Sequence, residues 1–158
     1  MFDTVIGLPV HALVVHAVVV LVPLSALGVV AIAVVPRWRQ RFGSLVLAGS
    51  TVALAMVPVA TRSGENLEDR VGASGVVARQ INEHSDVGDL VLWPTLAMWV
   101  LAVALVLMAR GDRKGGAVTA VAVLAVLAAV TAAGFVVRAG HLGTTAVWSC
   151  TIGSDACR

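Results

Sequence analysis

A chain of 158 residues that is 59% hydrophobic and only 13% charged cannot cover a water-facing domain of this size, which excludes a soluble globular protein. Its formal charge of +2 comes with no basic patch interleaved with aromatics, which excludes nucleic-acid binding. Ten Arg stand against the single Lys114, a bias expected of a GC-rich bacterial genome.

Charge-free windows run over Thr4–Pro36, Phe42–Thr61, Leu90–Ala109 and Gly115–Val137. Each reaches about the 20 residues that a bilayer-crossing helix needs. The sequence therefore predicts an all-α membrane protein, a four-transmembrane-helix bundle forming one domain over residues 1–158. The expected helices cover 9–35, 44–61, 90–109 and 116–138, with a partly helical loop over 62–89 and a tail over 142–158. No internal repeat is evident.

The first helix is expected to start near Pro9, where a missing N–H costs nothing, and Pro23 falls within its span. Its acidic Asp3 and long apolar run argue against a cleaved signal peptide. Gly43 and Gly49 mark the second helix as one that a neighbour can approach closely. In the loop that follows, Val76, Val77, Ile81 and His84 recur at helical spacing. Trp38, Trp93 and Trp148 are placed where amphipathic rings mark the membrane boundaries.

Orientation follows from charge. The connectors Pro36-Arg37-Trp38-Arg39-Gln40-Arg41 and Arg110-Gly111-Asp112-Arg113-Lys114 are short and basic, so the positive-inside rule places both in the cytoplasm. The two termini and the 62–89 loop are then extracytoplasmic, together with eight of the nine acids. Cys150 and Cys157 fall on that side, where a disulfide persists more readily than a two-thiol metal site is built.

All four histidines, His11, His16, His84 and His141, belong to the extracytoplasmic half. An imidazole in a membrane span loses hydration and needs a partner, so it marks a functional site by default. On a regular helix His11 and His16 stand about 140° apart and cannot face one small ion together, and His16 is expected to face the interior. His84 and His141 approach from the third and fourth helices. A bundle with facing histidines suits haem, with Arg62 and Arg138 at the depth of the propionates and Gly88, Gly134 and Gly140 supplying room. The plainer readings are an interfacial polar His11, a solvated His84 beside Glu83 and Asp86, and a helix-capping His141.

Gly7-Leu8-Pro9-Val10-His11-Ala12-Leu13-Val14-Val15-His16, Ser63-Gly64, His84 and Gly140-His141-Leu142-Gly143 together resemble the bacterial membrane family known as domain of unknown function twenty-two thirty-one. The resemblance covers nearly the whole chain and implies four helices and a redox setting, because some members are joined to Rieske-type iron–sulfur domains. No Rieske cluster motif occurs in this chain, so such a partner would be a separate protein. Ala12 replaces the proline usual after the first His, and Thr144-Thr145-Ala146-Val147-Trp148 replaces a more Gly-rich stretch.

The reading these features favour is a b-type haem electron-transfer protein of the bacterial plasma membrane. His16 with His84 or His141 would be its axial ligands, and quinol or a separate redox protein its partner. Such a chain is a redox carrier or subunit rather than a stand-alone enzyme. The rival readings are a non-catalytic small membrane subunit and a zinc- or copper-binding protein.

Overall fold

Val35 and Pro36 set the reversal between the first two helices. A residue before proline is pushed out of the helical region, and Val35 is extended at φ −110°, ψ 99°. Pro36 has the fixed φ that suits a first helical position, so the next helix starts at once. The computed structural model describes residues 4–5, 7–111 and 114–148. A two-residue antiparallel pair, β1 (Thr4–Val5) and β2 (Leu8–Pro9), leads into α1 (Val10–Val34). α2 (Pro36–Val71), α3 (Gly75–Leu90), α4 (Leu92–Arg110) and α5 (Gly116–Trp148) follow. Cys150 and Cys157 lie outside the described residues.

Among the described residues four stretches are long and apolar enough to cross a bilayer: α1, α2, α3 with α4, and α5. The basic stretch 36–41, expected as a connector, is instead the first turn of α2. The 62–89 region, expected to be partly helical, is nearly all helix. α2 runs on to Val71 and stops where Gly72 adopts φ +54°, a left-handed cap that glycine takes without a Cβ clash. At 36 residues α2 is about 54 Å long and exceeds the hydrocarbon thickness, so its polar end stands clear of the apolar layer. α3 and α4 form nearly one rod, interrupted at Val91. Pro94 has no N–H for the Leu90 carbonyl, and the buried Thr95 hydroxyl donates to Val91 O at 2.7 Å across the break.

α1 packs on α2 and α5, and α4 packs on the same two, which closes a four-membered ring; α3 continues the α4 position against α5. Lipid is as apolar as leucine, so close packing and interhelical hydrogen bonds hold such a ring together rather than water exclusion. Small residues make the close packing possible. α5 buries Ala125, Ala129, Ala132, Val136 and Ala139, and α2 buries Ser50, Ala53, Val57 and Ala60. Leu24, Leu27, Leu45, Leu107 and Val130 are exposed on the outside, where lipid would lie.

The buried positions reveal an internal repeat that the sequence reading missed. Val18, Val22, Ser25, Val29, Ile32 and Ala33 of α1 are matched by Val91, Thr95, Met98, Ala102, Leu105 and Val106, each 73 positions later. On the second helices Ser50, Ala53, Val57 and Ala60 are matched by Ala129, Ala132, Val136 and Ala139, each 79 positions later. The two halves share a burial register and few side-chain identities, which is why composition and pattern hid the repeat. The ring of contacts is that of two equivalent helical hairpins related by an approximate two-fold axis along the bundle.

Candidate functional site

The same shift of 73 positions that relates the two halves carries His11 onto His84. His11 opens α1, and its Nδ1 donates to Ala60 O of α2 at 3.0 Å. His84 lies on α3, and its Nδ1 donates to Ala139 O of α5 at 2.8 Å. Ala60 and Ala139 are themselves an equivalent pair, so the site repeats the fold's own symmetry. The two rings meet at 6.1 Å between centroids, with their planes 79° apart.

These bonds determine the tautomers. A carbonyl oxygen can only accept, so Nδ1 carries the proton in both rings, and a neutral imidazole then keeps its lone pair on Nε2. Ser63 adds to the first half. Its hydroxyl donates to Ala60 O at 2.9 Å and lies 3.4 Å from His11 Nδ1. Leu142 occupies the matching place on α5 and offers no hydroxyl. Both rings are half-buried.

The remaining expected site residues are elsewhere. His16, expected to face the interior, is exposed and turns its Nδ1 back onto Ala12 O of its own helix. The reason is register: the buried face of α1 runs through Val18, Val22 and Ser25, and His11 lies on its extension toward α2 while His16 does not. His141 is also exposed, and its carbonyl accepts from Thr144 and Thr145. The structure thus brings together two of the four histidines. Arg62 and Arg138 are exposed, two residues from Ala60 and one from Ala139, at the level of the paired rings. Arg138 with Thr131, Gly134 and Phe135 lines an open cavity of about 260 Å³ on α5.

Glu68 of α2 accepts hydrogen bonds from two residues of α3. Ser85, next to His84, donates to Glu68 Oε2 at 3.1 Å, and Asn82 donates to Oε1 at 2.9 Å in the amide orientation that satisfies both its ends. These contacts tie α3 to the end of α2 beside the ring. Sequence reading also missed Ala60, Ala139 and the roles of Gly64 and Gly143. The available signal was an Ala followed four residues later by Gly, once after each of the two histidine-bearing segments.

Among the described residues no group of three or more His, Cys, Asp or Glu is placed to hold a metal ion. No curated protein and no solved structure matches the chain. A family model described as "Predicted membrane protein (DUF2231)" matches residues 7–156.

Proposed function

The chain belongs to the DUF2231 family of predicted membrane proteins, and from that premise we propose that it is a b-type haem electron-transfer protein in which His11 and His84 would hold the haem. The observation that carries this reading is the facing pair of imidazoles with anchored Nδ1 atoms. The ring centroids are 6.1 Å apart, so both imidazoles would be within reach of one bound iron.

The donor set selects among bound groups. Zinc asks for three or four protein ligands, whereas haem brings its own equatorial nitrogens and needs only one or two imidazoles. Two histidines and no third ligand among the described residues therefore favour haem over zinc. A Cβ at Gly88 or Gly140 would meet nothing within 4 Å, so neither of these positions is crowded. Arg62 and Arg138 are available to the propionates.

When bound, haem would supply a one-electron iron couple. The protein's part is to hold two neutral rings, orient them through the Ala60 and Ala139 carbonyls, and raise their basicity by those hydrogen bonds. By the positive-inside rule, the end opposite the basic start of α2 and the end of α4 faces the extracytoplasmic side of a bacterial plasma membrane. Electrons would then be exchanged there with quinol or a separate Rieske-type protein.

Absorbance spectra of the purified protein, oxidised and dithionite-reduced, test the reading. The wild type is expected to show a Soret band and a low-spin bis-imidazole spectrum. H11A and H84A are each expected to lose the low-spin spectrum, and H16Q and H141Q to keep it. An interhelical hydrogen bond in a membrane is worth about 0.6 kcal/mol and at most about 1.7, so losing one leaves the bundle folded. Absence of a Soret band, with no haem by pyridine haemochrome assay, would overturn the proposal. The histidines would then be struts of a non-catalytic membrane subunit, or ligands of copper or zinc if metal analysis of the same sample finds either.

A further inference from the structure

Gly64 and Gly143 bear the same relation to the two rings. A Cβ at Gly64 would stand 3.0 Å from His11 Cε1 and 3.2 Å from its Nδ1. A Cβ at Gly143 would stand 3.0 Å from His84 Cε1 and 3.1 Å from its Nδ1. Each glycine is four residues beyond the alanine whose carbonyl accepts from the ring. On a helix the residue at that spacing sits one turn above the carbonyl, on the same face. A side chain there would occupy the space through which the ring reaches the oxygen's second lone pair.

Most other glycines of the helices do not have this property. Gly88, Gly134 and Gly140 would each present a Cβ to open space. Close approach to an imidazole is therefore particular to the two positions that the internal repeat makes equivalent.

We propose that Gly64 and Gly143 are a matched pair of positioning residues, whose missing side chains admit the imidazoles to the Ala60 and Ala139 carbonyls and thereby hold His11 and His84 as Nδ1–H tautomers with Nε2 free to ligate. As a deepening of the site, this rests on the paired-imidazole reading of function, yet the tautomers can be read without any bound group. The two halves are not identical in strength. His11 has the Ser63 hydroxyl as a second acceptor, and His84 has only Leu142 in that place. Displacement of His84 is therefore the more complete of the two.

Nitrogen-15 NMR of the full-length, histidine-labelled protein in micelles, free of added haem, tests this directly. In the wild type, His11 and His84 are expected as Nδ1–H tautomers. G143A is expected to move His84 toward the Nε2–H form and leave His11 in place. G64A is expected to do the reverse with a smaller change, and G140A to leave both unaltered. Haem added to G143A is expected to be retained about 10-fold less tightly or worse, the usual loss when a ligand's orienting partner goes. Unchanged tautomers in a folded G143A or G64A would overturn the proposal, and either variant alone suffices if the other does not fold. Wild-type rings in the expected tautomers without any Soret band would leave the proposal standing and defeat only the haem reading.

Discussion

Arg39 shows how one side chain can close an element that it does not belong to. It is buried, and it donates from Nε to Ile32 O at 2.9 Å and from a terminal nitrogen to Ala33 O at 2.8 Å. Those carbonyls belong to the last turn of α1, where a helix has no donors of its own to satisfy them and where its dipole favours a cation. The sequence marked Arg39 as one of three charges in a basic connector, a topological signal with no individual role. R39A is expected to destabilise the protein by about 2 kcal/mol, the worth of charge-assisted hydrogen bonds left unmade. R39K is expected to recover less than half of that, because one ammonium cannot reproduce the fork. Thermal melts in detergent, with R37A as the exposed control, check both. The histidines carry the same lesson. Chemistry singled out all four, and only the phase of each helix separated His11 and His84 from His16 and His141.

At the scale of the helix, spacing was legible and termini were not. Four apolar windows predicted four spanning segments, and among the described residues four helical stretches are long and apolar enough to span. Helix ends moved because polar residues continue a helix as readily as apolar ones once capping and proline geometry allow. The expected start at Ser44 became Pro36, and the expected end at 61 became Val71. Of the two glycines read as contact points on the second helix, Gly43 lies tight against a neighbour, whereas a Cβ at Gly49 would meet only Ser25 Oγ at 3.9 Å. A Cβ at Gly43 would come within 2.8 Å of Val106 Cγ2, and valine has little rotamer freedom with which to yield. G43A is expected to cost about 1–2 kcal/mol through overpacking between α2 and α4. V106A in the same chain is expected to remove most of that cost, a coupling that a double-mutant cycle in detergent would measure.

For the molecule as a whole, two equivalent hairpins explain why a facing pair of histidines arises at all. A two-fold arrangement presents each residue near its axis twice, so one histidine per half gives two facing rings. The same arrangement puts both histidines at one end and the start of α2 with the end of α4 at the other. The proposed orientation has those basic ends in the cytoplasm. With Cys150 and Cys157 replaced by serine, N66C is expected to react with a membrane-impermeant thiol reagent on intact cells, and Q40C only after lysis. The opposite pattern would move the site to the cytoplasmic face.

From composition and the lengths of its charge-free runs alone, this chain was committed to a membrane and to four helices, because bilayer thickness converts directly into residue count. Its resemblance to a membrane family was likewise legible in short motifs around the histidines. Which imidazoles meet, which carbonyls orient them and that the halves repeat were decided only by tertiary structure. The reason is that these depend on rotational phase between helices and on equivalence of burial, neither of which a one-dimensional pattern of residue types records.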